Sequence, residues 1–227
     1  PLLLWQLLFP ATTTYEAAGL STSMDQRLAA TSTFSMTRVL VSKGRTAAEH
    51  NLNAYEGVVL LGTTGSRRQL RKAGFEHVSR YLALPSLENP RWLVPVEQAH
   101  LASAATLPRM YKLTSRIART ALVYSLKLGT MPWRSRTIAI ATRRQPAVVS
   151  AIEGLFPGKK VRLAFAGGTP GPMRKPTIVC IDSDGRPAAF GKVAVSPVTE
   201  RLVRNEANVL SAIGMTRKLL PLAPRLM

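Results

Sequence analysis

Between Val161 and Ile213 the chain reads VRLAFAGGTPGPMRKPTIVCIDSDGRPAAFGKVAVSPVTERLVRNEANVLSAI, and the order of its punctuation leaves few folds open. Val161–Phe165 is a run of strand formers, closed by Ala166-Gly-Gly-Thr-Pro-Gly-Pro. Thr177–Ile181 reads as a second strand, and Asp182-Ser-Asp-Gly185 as its hairpin turn, because Asp-Gly readily adopts the backbone angles of a tight turn. Ala188–Val195 is the third strand and carries Lys192. Ser196-Pro197 then opens a helix over Thr199–Ile213, with Ser196 as its cap and proline tolerated in the first turn. Leu202, Val203, Ala207, Val209, Leu210 and Ile213 are expected on its buried side. Ahead of this unit, Ala147–Phe156 reads as a short helix closed by Pro157-Gly158.

These residue types in this order suit phosphate binding. A glycine-rich turn between two strands lets backbone amides approach a phosphate without an intervening side chain. A lysine on the third strand adds positive charge, and a glutamate on the next helix can pair with it and hold its long side chain in place. The candidates are Lys192 and Glu206, separated by 14 residues that hold a strand end, a turn and about two helical turns. The plain alternatives are a solvated strand-edge lysine and a glutamate on the solvent face of its helix.

FGKVAVSPVTERLVRNEANVLSAI resembles the aminoglycoside phosphotransferase and choline kinase-like superfamily. Members carry a strand lysine followed by a helix bearing Arg-x-Glu-Ala-x-x-Leu, which stands here as Arg204-Asn205-Glu206-Ala207-Asn208-Val209-Leu210. The resemblance covers about 65 residues and implies a kinase-like small lobe that binds ATP. In it Lys192 would contact the phosphates, Glu206 would be its ion-pair partner, and Gly167, Gly168 and Gly171 would belong to the nucleotide-covering loop. Pro170, Pro172 and Pro176 depart from the family's usual loop. The family's catalytic Asp lies in a His-Gly-Asp type loop and its metal-binding Asp in a later motif, both in the second lobe. After Glu206 this chain has no Asp and no His, so the ligands for Mg lie outside it and no catalytic residue is assigned.

The first part of the chain is less regular. Polar clusters at Thr12–Thr14, Ser21–Ser23 and Thr31–Thr33 read as loops or helix starts, Thr14-Tyr-Glu-Ala-Ala among the latter. Pro1–Phe9 (PLLLWQLLF) is an apolar run, too short to cross a bilayer, that suits a core strand or helix. Tyr55–Leu61 is a short apolar stretch ending at Gly62. Ser66 is expected to cap a helix over Arg67–Ala73 that Gly74 ends, with Phe75 folding back on Leu70. His77–Leu84 alternates as a strand before Pro85, with Val78, Tyr81 and Ala83 as candidates for burial. SRRQLRKAGFEHVSRYLALPSLENPRWLVPVE resembles the C-terminal part of S-adenosylmethionine-dependent methyltransferases, over about 40 residues, without the glycine-rich cofactor loop found at the front of that fold.

Thr106–Leu128 is the clearest helix, with Leu107, Met110, Thr114, Ile117, Ala121, Tyr124 and Leu128 on one face. Arg109, Lys112, Arg116, Arg119 and Lys127 gather on the other. It reads as a helix docked on a core by its apolar stripe, or as one lying on an anionic membrane surface. Thr137–Thr142 reads as a short buried strand, and Arg143–Pro146 as a seam.

The net charge is +19, and residues 65–144 carry fifteen Lys or Arg against three Glu, a footprint that suits an anionic partner. Aromatic residues are not interleaved with these cations, which argues against a nucleic-acid stacking platform. The single cysteine, Cys180, excludes an internal disulfide, and three scattered histidines give no metal-ligand pattern.

The sequence thus predicts an α/β (α+β) chain in three segments. Residues 1–103 are an α/β remnant with a methyltransferase-like C-terminal part, 104–145 a basic amphipathic helix and strand connector, and 146–227 a kinase-like ATP-binding small lobe of antiparallel strands plus one helix, truncated before its catalytic lobe. The expected parent is a larger bacterial, cytoplasmic phosphotransferase that moves phosphate from Mg-ATP to a small hydroxylated acceptor, with this fragment inactive alone. The alternatives are a basic module that meets an anionic membrane, at the inner membrane face through residues 106–128, or nucleic acid, and a methyltransferase-related domain.

Overall fold

The computed structural model describes residues 4–9, 13–18, 20, 24, 26, 28, 38–43, 51–62, 67–97, 113–128, 136–168, 171 and 173–214. Their strands form one mixed sheet, nine strands wide among the described residues. In chain order these are β1 (Thr14–Ala18), β2 (Arg38–Lys43), β3 (Gly57–Leu61), β4 (His77–Leu84), β5 (Trp92–Pro95), β6 (Thr137–Thr142), β7 (Arg162–Ala166), β8 (Thr177–Ile181) and β9 (Pro187–Lys192). The helices are α1 (Arg67–Lys72), α2 (Leu113–Leu128), α3 (Ala147–Gly154) and α4 (Pro197–Gly214), with short 3-10 turns at Leu4–Leu8 and Leu52–Ala54.

Across the sheet the order is β1-β2-β3-β6-β4-β5-β7-β8-β9. The first three strands are parallel. From β3 onward each neighbouring pair is antiparallel, and β6 lies between β3 and β4. The strand of the connector segment is therefore held inside the sheet of the segment before it. β5 and β7 join through the pairs Trp92↔Ala166 and Leu93↔Phe165, which link the last three strands to the rest.

Strands in the middle of the sheet are apolar on both faces because both faces are covered. One face carries Val39, Val59, Tyr81, Leu93, Ile140, Phe165 and Cys180, packed under Trp5 and Leu8 of the first 3-10 turn and Val149 and Ile152 of α3. Tyr81 and Phe165 meet edge-to-face with centroids 5.7 Å apart, bridging β4 and β7. The other face is covered in two patches. Leu70 of α1 and Phe75 lie over Leu40, Val58, Leu60 and Ala139. Leu122 and Leu126 of α2 pack on Leu82, Val94, Ala164 and Val179.

The α1 exit is built as its sequence predicts. Gly74 takes a positive φ of 85°, its N–H donates to Arg71 O, and the Phe75 N–H reaches Leu70 O at 3.1 Å. This Schellman-type closure puts Phe75 back on Leu70 in one apolar cluster. Arg143, from the seam, braces the turn: its guanidinium lies 4.9 Å from the Phe75 ring centroid and donates to the carbonyls of Tyr55 and Leu52. The expected Ser66 cap lies outside the described residues.

Three expectations are corrected. Thr14–Ala18 is a strand paired in parallel with β2, not a helix start. Tyr15 packs edge-to-face on Trp5 at 5.6 Å, and tertiary packing outweighs local propensity there. The α2 stripe expected to dock is the outward one: Ile117 is 61%, Tyr124 58% and Leu128 71% exposed, while Leu122 and Leu126 do the docking. The helix carries apolar residues on both flanks, and the sheet takes the flank whose two leucines fit its grooves. The residues assigned to the buried side of α4 are only half-covered, and Val209 is 49% exposed. α4 lies beside β9, an edge strand whose own Phe190 is exposed, so the sheet offers it little to pack on.

Candidate functional site

The site is built on the three antiparallel strands β7, β8 and β9 and on α4. β8 and β9 are joined by the turn at Asp182–Gly185, where the Asp182 carboxylate accepts from the Asp184 and Arg186 amides and Gly185 takes a φ of 79°. That turn sets a register in which Lys192, the last residue of β9, stands opposite Thr177, the first of β8. The ladder extends one step further, with the Val193 N–H donating to Pro176 O at 2.8 Å.

A reciprocal cap aims the helix. The Thr199 N–H donates to Ser196 Oγ at 3.2 Å, and the Ser196 N–H returns a bond to Thr199 Oγ1 at 2.9 Å. Thr199 is fully buried, which fixes the start of α4 against the sheet. From that start α4 runs back past the end of β9 and brings Glu206 to Lys192.

The pair expected from sequence is present. Lys192 Nζ donates to Glu206 Oε2. A second ammonium, missed in the sequence, joins it: Lys175 Nζ donates to Oε1 of the same carboxylate. The Lys175 side chain is 23% exposed, Glu206 35% and Lys192 49%, so the group sits at the surface with Lys192 most open to solvent. The hydrogen bonds from Lys175 and then Lys192 hold the Glu206 carboxyl below its usual range.

The glycine-rich turn between β7 and β8 folds onto this group. Gly167 is buried, its N–H donates to Arg91 O at 2.7 Å, and its carbonyl accepts from Arg174 Nε at 2.5 Å. Its amide is thus committed to the β5 side of the sheet, so Gly167 anchors the turn. Gly168 takes a φ of 68°, and a Cβ there would stand 2.9 Å from the carbonyl oxygen of Lys175. Gly171, with φ 146°, has open space around it. Of the five residues singled out in the sequence, Lys192 and Glu206 touch, while Gly167 and Gly168 hold the turn against Arg174 and Lys175. The signal for Lys175 was available as a basic pair, Arg174-Lys175, one residue before the proline that leads into β8.

Cys180 is buried in β8, and burial raises its thiol pKa, which suits an inert core residue. A cavity of about 220 Å³ lies elsewhere, between β4, β6 and α3, lined by His77, Thr142 and Glu153 among others. Neither Lys192 nor Glu206 lines it. Among the described residues no three of His, Cys, Asp and Glu gather as a metal ion would require. No helix among them is long and apolar enough to cross a membrane.

Comparison of the chain with protein-family models, with curated proteins and with solved structures finds no match.

Proposed function

We propose that residues 146–214 are the nucleotide-binding lobe of a phosphotransferase of the aminoglycoside phosphotransferase and choline kinase-like kind. In this reading Lys192 binds the phosphates of Mg-ATP, Glu206 holds its side chain in place, and the turn at Gly167, Gly168 and Gly171 covers the nucleotide. The acceptor would be a small hydroxylated molecule, and the carboxylates for metal binding and proton abstraction would come from outside this chain. The single observation that carries the reading is the ion pair between Lys192 and Glu206. It joins a strand end to a helix at the edge formed by the last three, antiparallel strands of the sheet. The site is an open surface, which is consistent with one wall of a cleft whose other wall another lobe would supply.

The test is calorimetric titration of ATP into the chain and into Lys192→Ala at fixed ionic strength. Loss of about 1.5–3 kcal/mol of binding, the scale of a hydrogen bond to a charged group, supports the reading. Equal binding by the two proteins removes Lys192 from the phosphate site.

A second reading rests on α2. The exposed row of Ile117, Ala121, Tyr124 and Leu128 lies on a helix that also carries Arg116, Arg119 and Lys127. An exposed apolar row with an aromatic ring, on a helix whose sequence is rich in cations, suits the interface of an anionic membrane. Pelleting with vesicles of anionic lipid at rising salt tests it, and failure to pellet at low salt ends it. The α1–Gly74–Phe75–β4 unit is also consistent with the methyltransferase-like architecture expected for the first segment, where it has a structural role.

A further inference from the structure

We infer that Lys175 is a second phosphate-binding cation, and that Lys175 and Lys192 together select ligands bearing two adjacent phosphoryl groups. This rests on the nucleotide-binding reading above and names the ligand chemistry more narrowly.

One carboxylate, Glu206, takes one ammonium on each oxygen. The three groups carry a net charge of +1, and the two like charges share one carboxylate. A pair built for stability alone needs one lysine. Exposed ion pairs contribute little, and adding a second ammonium to the same carboxylate brings like-charge repulsion. Glu200, on the same helix as Glu206, is already paired with Arg204 at 2.8 Å. Two lysines on one carboxylate therefore leave the cluster a positive charge that an anion would balance.

Its geometry narrows the anion. Lys192 ends β9 and Lys175 precedes β8, and the Val193–Pro176 hydrogen bond ties the two chain segments together beside them. Two ammoniums, one at the end of a strand and one in the segment leading into its neighbour, each on a different oxygen of Glu206, offer two donors that two neighbouring tetrahedral groups can engage together. At Gly168 a Cβ would stand 2.9 Å from the Lys175 carbonyl oxygen, so the turn comes close to the Lys175 backbone and leaves no room there for a side chain. The matching chemistry is a diphosphate unit, found in nucleoside di- and triphosphates and in inorganic pyrophosphate.

The experiment titrates ATP, ADP, AMP and pyrophosphate into the chain and into Lys175→Gln, Lys175→Arg and Lys192→Ala, with circular dichroism as the folding control. ATP, ADP and pyrophosphate are expected to bind Lys175→Gln about tenfold more weakly, the scale of one partly screened charge-assisted bond, while AMP changes less than about twofold. Lys175→Arg, which keeps the charge, is expected to recover most of that loss. If ATP binding falls in Lys192→Ala but is unchanged in Lys175→Gln, the second cation is overturned and the nucleotide reading stands. If the loss in Lys175→Gln is confined to ATP and ADP and spares pyrophosphate, Lys175 contacts the nucleoside and the diphosphate assignment is overturned. If the wild-type chain binds none of the four, both readings fall.

Discussion

Lys192 and Glu206 stand 14 residues apart in the chain and meet across the end of the last hairpin, one at a strand terminus and the other midway along a helix. Neither element could deliver the contact alone. The Asp182–Gly185 turn fixes where β9 ends, and the Ser196–Thr199 cap fixes where α4 begins and which way it runs.

The pair gives a pH signature. The Glu206 carboxyl sits below its ordinary value because Lys175 and Lys192 donate to its charged form. A group whose pKa is lower when folded adds stability above its unfolded pKa, near 4.3 for glutamate, and loses it as pH falls through the folded value. Thermal melts of wild type and Glu206→Gln are expected to differ at pH 7 by less than about 1 kcal/mol, since the group is partly exposed, and to converge below about pH 4. A difference that persists undiminished at pH 3 would contradict this origin.

Gly168 is expected to resist substitution. Its φ of 68° is a left-handed conformation, and a Cβ would press on the Lys175 carbonyl at 2.9 Å. Gly168→Ala should cost about 1–2 kcal/mol from backbone conformation, plus whatever the turn gives up in moving. Gly171→Ala, with open space around it, should cost only its conformational share. Denaturant midpoints of the two variants measure the difference, and equal costs would refute the close approach at Gly168.

Phe165 ties the last strands to the rest of the sheet. It is fully buried, pairs with Leu93 in the short β5–β7 ladder and stacks edge-on against Tyr81. Phe165→Ala is expected to cost about 3–5 kcal/mol, the range for emptying a large aromatic site in a core. Hydrogen exchange should then show β7–β9 losing protection before β3 and β6.

The outward face of α2 should behave oppositely. Tyr124→Ser and Leu128→Ser remove exposed side chains and are expected to change stability by no more than about 0.5 kcal/mol, whereas Leu126→Ser opens the contact with the sheet and should destabilise it clearly. If the membrane reading holds, the first two variants lose vesicle binding with their folds intact. Unchanged pelleting would reject it.

Much of this architecture was legible locally. β4, β6 and β8 have the bounds their residues predict, because each is a continuous strand-forming run ended by a turn or proline. The α1 exit followed from Gly74, and the Lys192–Glu206 contact from strand–turn–helix order. What escaped depended on partners distant in sequence. β2 was not recognised, since RVLVSK lies among polar clusters and is defined by its parallel neighbours β1 and β3. The docking flank of α2 could not be chosen, because both flanks are apolar and the grooves over Leu82, Val94 and Ala164 are visible only once the sheet exists. Lys175 was missed because the Lys–Glu pattern sought a single lysine, while its position opposite β9 comes from the ladder.

The most direct test of the account is covalent. An acyl-phosphate derivative of ATP, which transfers its acyl group to a lysine near the bound phosphates, should label Lys192 and Lys175 in the intact chain, and excess ATP should suppress both adducts while leaving other lysines unchanged. Peptide mass spectrometry reads the sites. Labelling spread over surface lysines such as Lys43 and Lys127, with Lys192 neither preferred nor protected, would show that no phosphate site exists there.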